Sequence, residues 1–146
     1  MNKDFAFLVM TLHNPRKLTY KYKGSCPQIP VAFFDIDGKL TQTYNNAILD
    51  TGAMGIAIPE WLANLLKLPL TKRKEKGQSA GGNVDVYITK GNFNIGRGGV
   101  FVEYSDVEIN VLKDLDNVLI GMNPVFDDFI VTIDGKSKKF TLDPRK

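Results

Sequence analysis

One aspartate in this sequence stands in a setting that suits a carboxylate for acid–base work. In Ala47–Leu70, an apolar triplet (Ala47-Ile48-Leu49) runs into Asp50-Thr51-Gly52-Ala53, and Ile58-Pro59-Glu60 then opens a helical pattern. An Asp at a strand end, followed by a Gly that permits a tight turn, places its carboxylate on a cleft floor with the backbone held on one side. An aspartate so placed can take a proton from water or give one to a carbonyl oxygen. The other reactive groups have weaker settings. His13 borders a turn and has no acid or nucleophile placed near it by any motif, so it reads as a surface residue. Cys26 is the single cysteine, which rules out an intrachain disulfide and a thiolate metal cluster, and it reads as a bystander. Asp127-Asp128 reads as solvent-facing.

The elements that must position Asp50 follow from periodicity. Phe5–Leu12 and Leu18–Lys23 read as strands, the second alternating through Leu18, Tyr20 and Tyr22. Val31–Ile36 and Lys39–Tyr44 flank Asp37-Gly38, a strong short hairpin signal. Pro59 fits the first turn of a helix, where its missing N–H is unpaired anyway. Trp61, Leu62, Leu65 and Leu66 recur at helical spacing and are expected in the core, with Pro69 ending the helix. Residues 71–76 form a basic strand-like run. Gly77, Gly81 and Gly82 surround Gln78-Ser79-Ala80, and Val84–Ile88 alternates, which predicts a hairpin with a glycine-rich tip. Phe93-Asn94-Ile95 and Val100–Val111 pair around Gly96–Gly99. Val118–Gly121 is a buried strand ending in Gly, Asn123–Phe126 fits one helical turn, and Phe129–Ile133 and Lys139–Leu142 make a last hairpin. Many short strands, one short helix and glycine turns predict an all-β fold, a closed or nearly closed β-barrel.

Bulk properties bound the function. A chain of 146 residues is one domain by length, with 43% hydrophobic and 24% charged residues. No run is long enough to span a membrane as a helix. Phe5–Leu12 is followed by Lys17, Lys21 and Lys23 rather than by a small-residue cleavage site, so it reads as a strand and not as a signal peptide. A cytoplasmic location is the expectation. The net charge of +3 is spread out, and the cluster Lys72, Arg73, Lys74, Lys76 is not interleaved with aromatics, which argues against nucleic acid as a partner.

With these residues in view, the sequence resembles the retropepsin-like aspartic proteases, in their cellular and archaeal style. The resemblance covers about Ala47–Leu142, most specifically LDTGA–IPEWLANLLKLPL and VLIGMNPVFDDFIVTID. It implies that residues 1–146 form one retropepsin-like domain, with residues 1–40 as additional N-terminal strands outside the clear likeness. It implies that Asp50 is catalytic, that Thr51 locks two chains together beneath the site, and that the Gly52 backbone contacts substrate beside Ala53. Leu119-Ile120-Gly121 would pack beside the catalytic loop. Gln78, Ser79, Ala80, Gly81 and Gly82 would form a flap over bound peptide. The chemistry needs two carboxylates sharing one proton, since like charges that close cannot both ionise. The chain holds a single D-[ST]-G and is too short for two lobes, so the second carboxylate must come from another copy across a two-fold axis. The implied protein is a homodimeric endopeptidase acting on extended polypeptide, without metal or cofactor. Two positions depart from viral members: Met54 stands where they carry an acidic residue, and Met122 where they carry an arginine.

Two other readings compete. A retropepsin-like dimer could bind peptide with little or no cleavage, since fold does not guarantee activity. Ala32-Phe33-Phe34-Asp35-Ile36-Asp37-Gly38 also resembles the first motif of haloacid dehalogenase-like phosphatases, with Asp35 as nucleophile and Asp37 as acid/base. That motif should end the first strand of an alternating α/β fold, which this chain's pattern does not provide, and Lys39 replaces the expected Thr.

Overall fold

The computed structural model describes residues 9–13, 17–73, 77–79 and 82–145. In chain order the strands are β1 (Val9–His13), β2 (Leu18–Lys21), β3 (Gln28–Phe33), β4 (Tyr44–Leu49) and β5 (Ile56–Pro59). Helix α1 (Glu60–Leu65) follows, then β6 (Thr71–Lys72), β7 (Gly77–Ser79), β8 (Gly82–Val84), β9 (Tyr87–Arg97) and β10 (Val100–Leu112). The chain ends with β11 (Leu119–Ile120), a short helical turn at Met122–Phe126, β12 (Phe129–Asp134) and β13 (Lys139–Pro144). The strand residues of the expected Phe5–Leu12 segment that precede Val9 lie outside the described residues, as do 74–76 of the basic run.

Six strands close into a barrel in the order β10-β5-β11-β4-β3-β9, the ring completed by β9 pairing back onto β10. Closure removes the exposed edges that an open sheet would leave. β3 carries Pro30 inside the strand, and the register with β4 slips between Ile29 and Val31, so the proline occupies a bulge where no ladder N–H is required. The barrel is filled from several strands at once. Ile29, Val31 and Phe33 of β3, Phe93 and Ile95 of β9, and Val102, Tyr104 and Ile109 of β10 are all buried. Phe93 lies between Phe33 and Tyr104, with ring centroids 5.8 and 5.2 Å apart. Aromatic pairs at such separations add roughly 0.5–1.5 kcal/mol beyond simple burial. A second sheet, in the order β12-β13-β2, puts Leu18, Phe129, Phe140 and Leu142 into the same apolar cluster.

Two local expectations are corrected. Trp61 and Leu65 are not core residues. α1 is one short amphipathic turn-and-a-half whose buried side is Leu62 and Ala63, with Leu66 buried just past its end. Trp61 is 53% exposed and Leu65 66% exposed. Helical spacing gave two apolar faces, and the barrel covers one. The helix also stops four residues before Pro69: Lys67 takes a left-handed conformation (φ 58°), and the Leu68 amide donates to the Ala63 carbonyl. The hairpin read at Asp37-Gly38 does form: beyond the Phe34–Leu40 bridge, β3 and β4 pair antiparallel, with Val31 opposite Tyr44. At its tip Asp35 Oδ1 accepts from the amides of Asp37 and Lys39 at 3.0 and 2.8 Å. The Asp35 carboxylate of the phosphatase-like motif is thus a turn device on a β-barrel. No helix among the described residues is long and apolar enough to cross a membrane.

Candidate active site

Asp50 follows β4 directly, and the loop 50–55 connects β4 to β5. β11 is wedged between those two strands. It runs parallel to β4 (Leu119 opposite Ile48, Ile120 opposite Leu49) and antiparallel to β5 (Leu119 opposite Ala57, Ile120 opposite Ile56). The wedge continues as hydrogen bonds into the loop itself. The Asp50 amide donates to the Ile120 carbonyl at 2.9 Å, and the Gly121 amide to the Gly55 carbonyl at 3.1 Å. The amides of Met122 and Asn123 donate to the carbonyls of Ala53 and Met54, both at 2.8 Å. Four of the loop's backbone polar groups are therefore paired with one neighbouring segment, which holds its shape.

Gly121 is what lets that segment come so close. A Cβ there would run into the carbonyl oxygens of both Ala53 and Gly55. Leu119, Ile120 and Gly121 thus lie against the 50–55 loop and the strands that flank it. Within the loop, the Gly52 amide donates to Asp50 Oδ1 at 2.8 Å and the Ala53 amide to the Asp50 carbonyl at 3.2 Å. The first of these orients the carboxylate without a second charged group. Asp50 and Ala53 are half-buried, whereas Thr51 and Gly52 are exposed. Met54 is 85% exposed, and Met122, bonded to Ala53 through its amide, is also exposed. The exposed residues around the loop, Thr51, Gly52, Met54 and Met122, carry no charge.

The glycine-rich hairpin forms as expected, but as a two-stranded sheet of its own. β7 and β8 pair Gly77 with Val84, Gln78 with Asn83 and Ser79 with Gly82. Ala80 and Gly81, the expected tip, lie outside the described residues. Gly82 has φ +110°, a conformation that side-chain-bearing residues rarely adopt. The alternation read over Val84–Ile88 is interrupted at Asp85-Val86, after which β9 begins at Tyr87.

Two features escaped the sequence. Asp128 does not face solvent freely. Its Oδ2 accepts a hydrogen bond of 3.0 Å from the hydroxyl of buried Tyr104. Burial raises the Asp128 pKa, the Tyr104 bond opposing it, and burial beside this carboxylate pushes the Tyr104 hydroxyl far above its ordinary range. The bond ties the segment after Gly121 to the barrel wall. The second feature is a cavity of about 550 Å³ beside the Asp50 loop, walled by Met54, Gly55, Val107, Asn110 and Asn123. No sequence signal marks it, because it depends on how β10 registers against β5. Among the described residues, no three or more His, Cys, Asp or Glu side chains gather as a metal site would require.

A family model described as aspartyl protease matches residues 32–123. The chain belongs to the aspartyl protease family. The matched span takes in the Asp50 loop, the β7–β8 hairpin and Gly121. The flanking strands β1, β2, β12 and β13 lie outside it. Two solved structures are similar to this chain. One is the protease of EIAV complexed with the inhibitor HBY-793, at 24% identity and TM-score 0.46, covering 75% of this chain and 93% of that one. The other is a retropepsin-like aspartic protease from Rickettsia conorii, at 22% identity and TM-score 0.46, covering 83% of this chain and 95% of that one. No curated relative matches the sequence.

Proposed function

We propose that this member of the aspartyl protease family is one half of a homodimeric, retropepsin-like endopeptidase, with Asp50 from each copy forming the catalytic dyad. The observation that carries the reading is the Asp50 loop itself. A carboxylate at a strand end accepts from the Gly52 amide, on a loop whose backbone is bonded to β11 and its sequel, inside the span that matches the family. Each chain holds one such D-[ST]-G, so a second copy must complete the site. The exposed face at Thr51, Gly52, Met54 and Met122 is where that copy would dock. Met54 and Met122, in place of charged residues, make this contact apolar.

In the dimer the two carboxylates share one proton and titrate as a pair. The ionised member takes a proton from a water lying between them, and the protonated member gives its proton to the peptide carbonyl oxygen. A tetrahedral diol results. Its collapse returns a proton to the departing amine and breaks the C–N bond. Substrate lies extended, adding a strand beneath the β7–β8 hairpin, which closes over it and excludes water.

The test is cleavage of denatured protein substrates by wild type and by Asp50→Asn, with sedimentation at micromolar concentration. The reading expects a dimer, and cleavage that disappears in the variant. Undiminished cleavage by Asp50→Asn, or a fully active monomer, removes it.

A further inference from the structure

The sheet β12-β13-β2 lies outside the span that matches the family, and it carries a surface that the proposed chemistry does not use. β2 is an edge strand of that sheet. It pairs with β13 on one side and, among the described residues, with no strand on the other. The ladder sets Lys21 opposite Lys139 and Thr19 opposite Thr141. One step beyond it, the Tyr22 amide donates to the Lys138 carbonyl at 3.0 Å. Antiparallel pairs alternate between hydrogen-bonded and non-hydrogen-bonded. The backbone groups of Tyr20 and Tyr22 therefore point at β13, and those of Thr19 and Lys21 point outwards, where an added strand could meet them.

The side chains on this edge are sorted by the same alternation. Leu18, Tyr20 and Tyr22 pack into the apolar cluster, with the Tyr20 and Tyr22 rings 5.5 and 6.2 Å from that of Phe140. Thr19, Lys21 and Lys23 are exposed. Lys21 and Lys139 form a non-hydrogen-bonded pair, the arrangement that brings side chains closest, and like charges so placed repel. Asp134, opposite Lys139 on β12, already accepts from the amides of Lys136 and Ser137 at 3.1 and 3.2 Å. Among the described residues the ion pairs join Lys72 to Asp85 and Lys90 to Asp106, and neither lies on this face. Lys21 thus has a lysine, not an acid, across the ladder.

We propose that the outer edge of β2 is a docking site for an extended, acidic polypeptide segment, which adds a fourth strand to the sheet and sets its carboxylates against Lys21 and Lys23, with Lys139 behind them. In strand addition, main-chain bonds give affinity and alternate side chains give specificity. Every second residue of the segment is acidic, since successive side chains of a strand point to opposite faces. A nucleic acid would find lysines here but no ring to stack on, because both tyrosines are turned to Phe140. Edge lysines also keep copies of a chain from pairing, a role that needs no partner. The site uses nothing of the Asp50 loop, so it stands or falls apart from the endopeptidase reading.

The experiment measures binding of short fluorescent peptides to the full chain: alternating Thr-Glu, the same residues with the glutamates in one block, and alternating Thr-Lys. Wild type should bind the alternating Thr-Glu peptide about tenfold more tightly than the block-ordered one, the scale of two opposite-charge cross-strand pairs. Lys21→Glu should lose the Thr-Glu peptide and gain the Thr-Lys one. Thr19→Pro keeps every lysine and removes an outward N–H, a substitution that edge strands accept. It should weaken binding by a similar factor at an unchanged melting temperature. Should it fail to fold, Lys21→Glu with the two oppositely charged peptides decides alone. Equal binding of the block-ordered peptide, or of single-stranded DNA, overturns strand addition, as does full binding by Thr19→Pro. No binding of the Thr-Glu peptide overturns the site and leaves the lysines as guards of an open edge.

Discussion

The Asp50 loop and the β7–β8 hairpin are both glycine-bearing turns within the family match, and they are built in opposite ways. The loop is bound on its open side by Ile120, Gly121, Met122 and Asn123, through four backbone hydrogen bonds of 2.8–3.1 Å. Its supporting strand β11 is paired on both edges. The hairpin is a two-stranded sheet of three residues a side, paired with no third strand among the described residues. An isolated two-stranded ribbon is marginal in water, whereas a segment wedged between two barrel strands opens only with the barrel. The contrast is between a loop pinned by a neighbouring segment and a hairpin joined to no third strand among the described residues. On the proposed function, acid–base catalysis would need the first to keep its carboxylate in place, and substrate entry would need the second to give way.

Substitutions can break this contrast at either end. The largest effect should come from Asp50→Asn, which keeps the shape of the loop and removes its charge. Peptide cleavage should fall by at least about a hundredfold, the scale of losing a general acid–base group, with little change in melting temperature. Gly121→Ala should come next and act through the fold. Its methyl group meets the carbonyls of Ala53 and Gly55, and overpacking of that kind costs about 1–3 kcal/mol, readable as a lowered denaturant midpoint. Gly82→Ala is the matching change on the hairpin. Open space surrounds that Cβ, but φ is +110°, so the strain falls on the hairpin alone. Activity should drop severalfold while the global unfolding midpoint stays within about 0.5 kcal/mol of wild type. If Gly82→Ala unfolds the barrel, or Gly121→Ala leaves stability untouched, the distinction between loop and hairpin is wrong.

Tyr104→Phe should give the smallest effect and a pH signature. It removes the bond that holds Asp128 and, with it, the segment after Gly121, at about 1 kcal/mol near neutral pH. Burial raises the Asp128 pKa in the folded chain. The native state therefore binds more protons than the unfolded state in the window just above the ordinary carboxylate pKa. Stability from this group is fully present below that window and is lost as pH rises through the folded pKa. Without the Tyr104 bond, which opposes the rise, the window should widen upwards. Denaturation midpoints measured from pH 4 to 7 for wild type and Tyr104→Phe would reveal it, and parallel curves would remove Asp128 as the cause.

Much of this arrangement was legible beforehand. The apolar triplet before Asp50, the Gly after Thr51 and the Pro before α1 located the turn, the strand that feeds it and the helix that follows. The glycines around Gln78 marked the hairpin, although Gln78 and Ser79 are placed here by backbone pairing alone and the tip is not described. Asp35 showed how a short motif misleads. Its carboxylate caps a tight turn, a role that needs nothing beyond neighbouring amides. Trp61 and Leu65 misled in a different way, because a helix with apolar residues on two sides does not say which side the barrel will cover.

The order of residues along the chain was enough to specify strands, turns and the place of a lone reactive carboxylate, because those depend on contacts within a few residues. It could not specify that β11 would enter between β4 and β5, or that Tyr104 would reach Asp128. Each of those joins residues far apart in sequence, and closing the barrel is what brings them within hydrogen-bonding distance.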